Sequence, residues 1–259
     1  MDNALNVCCM ISIFSVPLSR VTKENFLSNS NEALRAGEAV SISTVNPEIL
    51  LRAKRSPAFA DTLRACSWRV IDGFGISLVS FLKYRTWLPR ITGATAVELL
   101  ISLAEQHSFS VGIVGGKPGR SARAMKYLKS KYQHVRFFDL LDGGDCTVDL
   151  RGHITSGGEV LDKAMMTKKP NILLVAFGAE KQEAFILRFF KKYPFLRMGI
   201  GIGGLVDVWS GNVKSPPHFF SMFGLEWLWR LIQEPKRFTR ILNAVIVFPI
   251  QAIFLDKHV

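Results

Sequence analysis

Residues 108–132 read SFSVGIVGGKPGRSARAMKYLKSKY. A short apolar run with β-branched residues meets a glycine pair, then Lys117, Pro118 and Gly119. A stretch with apolar residues at helical spacing and a basic outer face follows. The order is strand, glycine turn, helix. The same unit recurs in both directions along the chain. The runs MISIFSV, AVSISTV, WRVID, VRFFDL, NILLVAFG and RMGIGIGG alternate with helix-like stretches such as TAVELLISLAEQ and EKQEAFILRFFKKY. Near-continuous apolar strands alternating with helices specify an α/β fold, a mostly parallel Rossmann-like sheet covered by helices.

The chain has 259 residues, 48% of them hydrophobic, enough for one large domain or a domain with an appendage. Its net charge of +12 implies an anionic partner: nucleic acid, a phosphorylated substrate or an acidic membrane face. Cys8, Cys9, Cys66 and Cys146 show neither a CxxC pair nor metal-ligand spacing, and are read as free thiols in a reducing compartment. The first twenty residues lack the basic start and small-residue cleavage site of a secretory signal, so they are read as mature structure with Cys8 and Cys9 in a buried strand. No apolar stretch reads as long and charge-free enough to span a bilayer, which takes about 20 residues. The nearest is ILNAVIVFPIQAIFL, 241–255, interrupted by Asn243, Pro249 and Gln251 and preceded by the basic EPKRFTR. Such a segment either lies on an anionic membrane or forms a core helix.

In a parallel sheet, ligands bind beyond the carboxyl ends of the strands. In STVNPEIL, Thr44 and Asn46 come after a strand and Pro47 suits a helix's first turn, which fits either phosphate binding or plain capping. In VIDGFGIS, Asp72 follows an apolar run and is flanked by Gly73 and Gly75, placed either to take a proton from a hydroxyl or to end a turn. LPRITGAT sets Arg90 and Thr92 ahead of a helix. VGIVGGKPGR carries Gly115 at a strand end but matches neither GxGxxG nor GxxxxGK[ST], and the basic helix beyond it is read as a solvated face. VAFGAEKQE offers Gly178 and Gln182, the latter able to bond a uracil or ribose, with Lys181 and Glu183 assigned to the helix surface. GIGGLVDVWSGNVKSPP, 201–217, adds Gly203 and Gly204 for close backbone approach and Asp207 just beyond.

Taken together, TVNPE, DGFGI, RITG, GGKPG, GAEKQE, GIGGLVDVWSGNVKSPP and GLEWLWRLIQEPKRFTR resemble one family over residues 11 to 240. It is the WecG/TagA/CpsF family, glycosyltransferase family 26, of bacterial inverting glycosyltransferases. It includes the N-acetylmannosaminyltransferases of wall teichoic acid and enterobacterial common antigen synthesis. The resemblance implies transfer of a sugar from a UDP-sugar donor to a polyprenyl-pyrophosphate-linked acceptor, with no metal and no cofactor. By position, Asp72 matches the family's proposed base. Thr44, Asn46, Arg90, Gln182 and Asp207 match its active-site or nucleotide-contacting residues, with Gly115, Gly178, Gly203 and Gly204 beside them. Arg230, Arg237 and Arg240 match the arginines of its C-terminal appendage. Two positions depart from the pattern: Ala94–Thr95 stands where a small residue and Asp are common, and Ser221 replaces a frequent Gln.

The expectation is an α/β catalytic domain over 1–211 and a helical, membrane-associating appendage over 212–259, in which Pro235 breaks the helix. The appendage holds six basic residues against three acidic ones. The expected setting is the cytoplasmic face of the inner membrane, peripherally bound, in cell-surface or extracellular polysaccharide synthesis. An anionic membrane surface is an expected partner, nucleic acid is not, and a homo-oligomer is compatible with the sequence. The competing class is a basic nucleotide- or nucleic-acid-binding module without transferase activity; the stacked-aromatic signatures of RNA binding are absent from the sequence.

Overall fold

The computed structural model describes residues 11–141, 145–214, 220, 226–233, 235 and 238–256. Cys8 and Cys9 lie outside them. At the start, β1 (Ile11–Ile13) and β2 (Val16–Leu18) pair antiparallel. The run MISIFSV is thus a hairpin and not one strand of the main sheet, because Phe14 and Ser15 both take positive φ, 51° and 60°, and reverse the chain.

The main sheet has six strands in the order β4-β3-β10-β9-β5-β6. These are β3 (Val40–Val45), β4 (Trp68–Ile71), β5 (Ser110–Gly115), β6 (Arg136–Asp139), β9 (Ile172–Ala176) and β10 (Met198–Gly201), and every pair is parallel. A small hairpin, β7 (Thr147–Val148) with β8 (Ile154–Ser156), stands apart.

Alternate side chains supply two cores, as the two-residue period of a strand requires. Ile42, Val70, Val111, Ile113, Leu174 and Ile200 face one side, with α1 (Lys23–Ala36), α5 (Gly93–His107) and α6 (Arg120–Lys131). On the other side, Leu173 and Val175 pack under α7 (Gly158–Lys168) and α8 (Lys181–Lys192). There too, Val45 and Ile71 pack with α2 (Pro47–Arg55), α3 (Pro57–Ala65) and α4 (Phe74–Tyr84). After β3 the chain leaves toward this second face through α2. After the neighbouring β10 it leaves toward the first through α9 (Leu205–Trp209), whose Val206 joins the first core. Adjacent strands that send their loops to opposite faces open a crevice between them, the usual ligand position of a parallel sheet.

The C-terminal part contains α10 (Glu226–Gln233) and α11 (Phe238–Leu255), and Pro235 lies in the sequence between them. By length and composition α11 is long and apolar enough to cross a membrane. That corrects the reading of this segment as interrupted. Pro249 lacks the N–H for the i−4 bond, and its ring crowds the carbonyl one turn back. Widened π turns at Asn243–Val247 and Gln251–Leu255 flank it and let the helix continue. One side of α11 closes onto the second core. Phe248 and Ala252 are fully buried, and Phe248 meets Phe14 edge to face, with 6.1 Å between centroids. Its far end is held by Asp256, which accepts from Lys83 Nζ at 3.0 Å and from the Phe14 N–H at 3.3 Å.

Candidate active site

The crevice gathers its groups from five strand ends. Val45 and Ile71 are register partners, and the Asp72 N–H donates to the Val45 carbonyl at 2.8 Å, which joins the ends of β3 and β4. The Ile91 N–H donates to the Ile71 carbonyl at 2.8 Å and so pins the Arg90 loop beside the same strand end. Asp72 Oδ1 then accepts from the Gly93 N–H, the first residue of α5, at 3.2 Å. A half-buried carboxylate is thereby held on the first turn of a helix, where free N–H groups favour negative charge. Gly73 is required by its surroundings: a Cβ there would lie 2.5 Å from Pro47 Cδ, so only glycine lets the loop after β4 pass across the start of α2.

Asn46 caps α2, its Oδ1 accepting from the Ile49 N–H at 3.0 Å. This realises the capping alternative left open by the sequence. Thr44 lies within β3 and not after it, and its side chain faces the opening of α5: a Cβ on Gly93 would meet Thr44 Oγ1 at 3.5 Å. Thr95, where an aspartate is common, belongs to the cap of α5. Its N–H donates to Thr92 Oγ1 at 3.1 Å, and the two hydroxyls are 2.9 Å apart.

The other half of the edge is built from backbone. Gly115 (φ 88°), Gly116 (φ 91°), Gly178 (φ 84°) and Gly203 (φ 45°) take left-handed conformations at the ends of β5, β9 and β10. Around Gly178 and Gly203 the space a side chain would fill is open. Gly204 precedes α9, and Asp207 lies inside that helix, ion-paired with Arg120 at the head of α6. Arg120 was assigned to a solvated face. The pairing needs α6 and α9 side by side, and the separation of 87 positions between the partners hides it from the sequence.

Glu183 is the larger correction. Assigned to the helix surface, it is almost fully buried. Its Oε2 accepts from the Glu180 N–H at 2.9 Å, closing the capping box of α8, and its Oε1 accepts from Gln182 Nε2 at 3.0 Å and Ser43 Oγ at 3.4 Å. Burial pushes its carboxyl above the ordinary range, and the hydrogen bonds pull it part of the way back. Gln182 is also buried, packed on the end of β10, where a Cβ on Gly201 would collide with its amide.

Of the three arginines, Arg240 donates from Nε and Nη2 to Glu48 Oε2 at 2.9 and 2.6 Å, which ties α11 to the first turn of α2. Arg230 lies in α10, and Arg237 lies outside the described residues. Among the described residues no cluster of three or more His, Cys, Asp or Glu has the arrangement of a metal site.

An apolar surface adjoins this edge. Phe74, two residues after Asp72, opens α4, whose Leu78, Phe81 and Leu82 are exposed, and Phe74 and Phe81 both stack edgewise on Trp87. Beside it α11 exposes Phe238, Leu242, Val245, Ile246, Ile250, Phe254 and Leu255, with Phe254 75% accessible.

The family model described as "Glycosyl transferase WecG/TagA/CpsF family" matches residues 11–257. A Bacillus spizizenii protein named N-acetylglucosaminyldiphosphoundecaprenol N-acetyl-beta-D-mannosaminyltransferase is 31% identical over 202 residues, covering 78% of this chain and 74% of the relative. A Bacillus subtilis protein of the same name is 30% identical over 207 residues, covering 78% and 75%. With this match running through the strand ends, the capped helices and α11 alike, the chain belongs to the WecG/TagA/CpsF family and is a glycosyltransferase.

Proposed function

We propose that the protein transfers a sugar from a UDP-sugar, with inversion and without a metal, to a polyprenyl-pyrophosphate-linked saccharide, in the synthesis of a cell-surface or extracellular polysaccharide. The relatives' printed name, which specifies an N-acetylglucosaminyl-diphosphoundecaprenol acceptor and an N-acetylmannosaminyl group, supports the acceptor class and the transfer. The observation that carries the reading is the junction of two surfaces. A polar strand edge ending in Asp72 passes within two residues into the exposed apolar face of α4, and α11 widens that face. A water-soluble nucleotide and a membrane-held lipid meet at such a junction and at few other places on a protein surface.

In this reading Asp72 takes the proton of the acceptor hydroxyl while its oxygen attacks the anomeric carbon from the side opposite the departing UDP. The new C–O bond forms as the bond to the diphosphate breaks, and the configuration inverts. The diphosphate leaves with the electron pair, and its charge falls to Arg90 and the appendage arginines Arg230, Arg237 and Arg240. Thr44, Asn46, Gln182, Asp207 and the glycines 115, 178, 203 and 204 hold the donor. Residues 1–211 form the catalytic unit, and 212–259 form an appendage that rests on the cytoplasmic face of the inner membrane. There α4 and α11 lie in the interface, because burying Phe248 and Ala252 and tying Lys83 to Asp256 fixes α11 along the protein. The test is incubation with synthetic polyprenyl-pyrophosphoryl N-acetylglucosamine and a panel of UDP-sugars, read by product mass. One UDP-sugar should add one sugar residue to the lipid; hydrolysis without lipid product, or transfer from none of the panel, would overturn the reading.

A further inference from the structure

Gln182 and Glu183 form a buried polar pair that the chemistry above leaves half used. The pair sits at the head of α8, over the last residue of β10 and beside Ser43 of β3, on the strand edge that bounds the crevice. All three side-chain and backbone groups around Glu183 donate to it: the Gln182 amide, the Ser43 hydroxyl and the Glu180 N–H. Both carboxyl oxygens are therefore taken. The Gln182 amide turns its nitrogen to Glu183, and its carbonyl Oε1 is left buried without a partner. An unsatisfied buried acceptor costs free energy and is rare in a folded protein unless something else completes it.

We propose that Glu183 is a positioning residue that fixes the Gln182 amide so that its carbonyl oxygen, not its amino group, is offered to the nucleotide-sugar, where it selects for an N–H or O–H group of that donor. This rests on the UDP-sugar reading above. The acceptor at Gln182 matches two donors on a uridine nucleotide, the uracil N3–H and a ribose hydroxyl. It repels a group that can only accept, such as the N3 of cytosine. Gly201 belongs to the same device, because any side chain there would push the amide out of its plane over β10.

The substitution Glu183→Gln is nearly isosteric, yet either placement of its new amide sets an NH₂ against an existing donor. The relief is a rotation of Gln182 that turns its nitrogen outward. Donor KM should rise by about tenfold, the order expected for one lost hydrogen bond, while kcat and acceptor KM stay within about twofold. Gln182→Met removes the acceptor with Glu183 intact and should raise donor KM similarly. The double variant should be no worse than Gln182→Met, because Glu183 acts through Gln182. UDP-sugars carrying N3-methyluracil or 2′-deoxyribose separate the two sources: the analogue that loses affinity for the wild type but not for Gln182→Met identifies the group. Additive losses in the double variant would make Glu183 merely structural and overturn the proposal, as would unchanged donor KM in Gln182→Met. If Glu183→Gln does not fold, Gln182→Met and the analogues still decide, since losing both analogues equally in wild type and variant refutes it. A wild type that binds no UDP-sugar would instead overturn the donor reading itself, a result distinguishable from all of these.

Discussion

The two halves of the strand edge are built of different material. At β3 and β4 the groups are side chains, each held by a helix cap or a backbone bond: Asn46 on the Ile49 N–H, Thr92 on the Thr95 N–H, Asp72 on the Gly93 N–H. At β10, β9 and β5 the chain offers glycines with positive φ, with open space above Gly203 and Gly178 and with Phe177 and Val206 packed close over Gly115 and Gly116. Fixed side chains suit a step in which one proton must move along one direction, whereas bare backbone suits close approach to a large anion. In the proposed reading the proton transfer falls to Asp72 in the first half, and the second half supplies most of the donor's contacts, with Thr44 and Asn46 completing them from β3.

The sharpest way to break that division is Asp72→Asn. The amide keeps the size and loses the basicity, so kcat should fall about a hundredfold or more while the dissociation constant for the UDP-sugar stays within about twofold. Single-turnover rates alongside calorimetric donor binding separate the two quantities. Equal losses in both would place Asp72 with the nucleotide instead.

The apolar surface beside the edge can be tested without touching either half. Replacing both Ile250 and Phe254 by Glu removes two exposed residues of α11 while leaving buried Phe248 and Ala252 in place. Each apolar side chain taken from water contributes about 1.5–3 kcal/mol, so sedimentation with anionic liposomes should weaken tenfold or more. Transfer to a short-chain, water-soluble acceptor should be unchanged. If the liposome affinity survives, membrane contact lies elsewhere on a chain of net charge +12, and an oligonucleotide competition would then show whether that charge serves nucleic acid.

How much of this was legible beforehand varies with sequence distance. The parallel sheet and Asp72 at the end of β4 follow from local patterns, because periodicity and turn residues are local quantities. Glu183 was misread because a carboxylate beside Lys181 at a helix start ordinarily faces water. Its burial depends on Ser43, 140 residues away. The exposed face of α4 was silent for a different reason: FGISLVSFLKY is apolar on both sides, so no periodicity separates the side that meets the core from the side left open. In α11 the proline reads from sequence as an interruption, and the π turns around it show how the helix absorbs the missing N–H.

A smaller effect should come from the backbone half. Gly178 has φ 84° and no neighbour within reach of an added Cβ, so Gly178→Ala meets conformational strain of about 1–2 kcal/mol and an occupied approach path, but no clash with the protein itself. Donor KM should rise several-fold with kcat nearly constant, the reverse of the Asp72→Asn pattern. A fall in kcat alone would show that the two halves are not separable.

The smallest expected effect is that of a chelator. A departing diphosphate needs compensating positive charge, and many enzymes supply it with a divalent ion held by paired carboxylates. Here the carboxylates nearest the crevice are already engaged: Asp72 with the Gly93 N–H, Asp207 with Arg120, Glu48 with Arg240, and Glu183 buried under three donors. Arginine is the cation the local sequence provides in quantity, and its planar fork meets phosphate oxygens through two bonds at once. Turnover in excess EDTA should therefore stay within about twofold of the untreated rate, since removing free metal leaves guanidinium charge untouched. Loss of turnover with recovery on adding Mg²⁺ or Mn²⁺ would mean that at least one of these carboxylates exchanges its present partner for a metal when the donor binds, and Asp207, half-exposed beside Arg120, would be the first to replace by Asn.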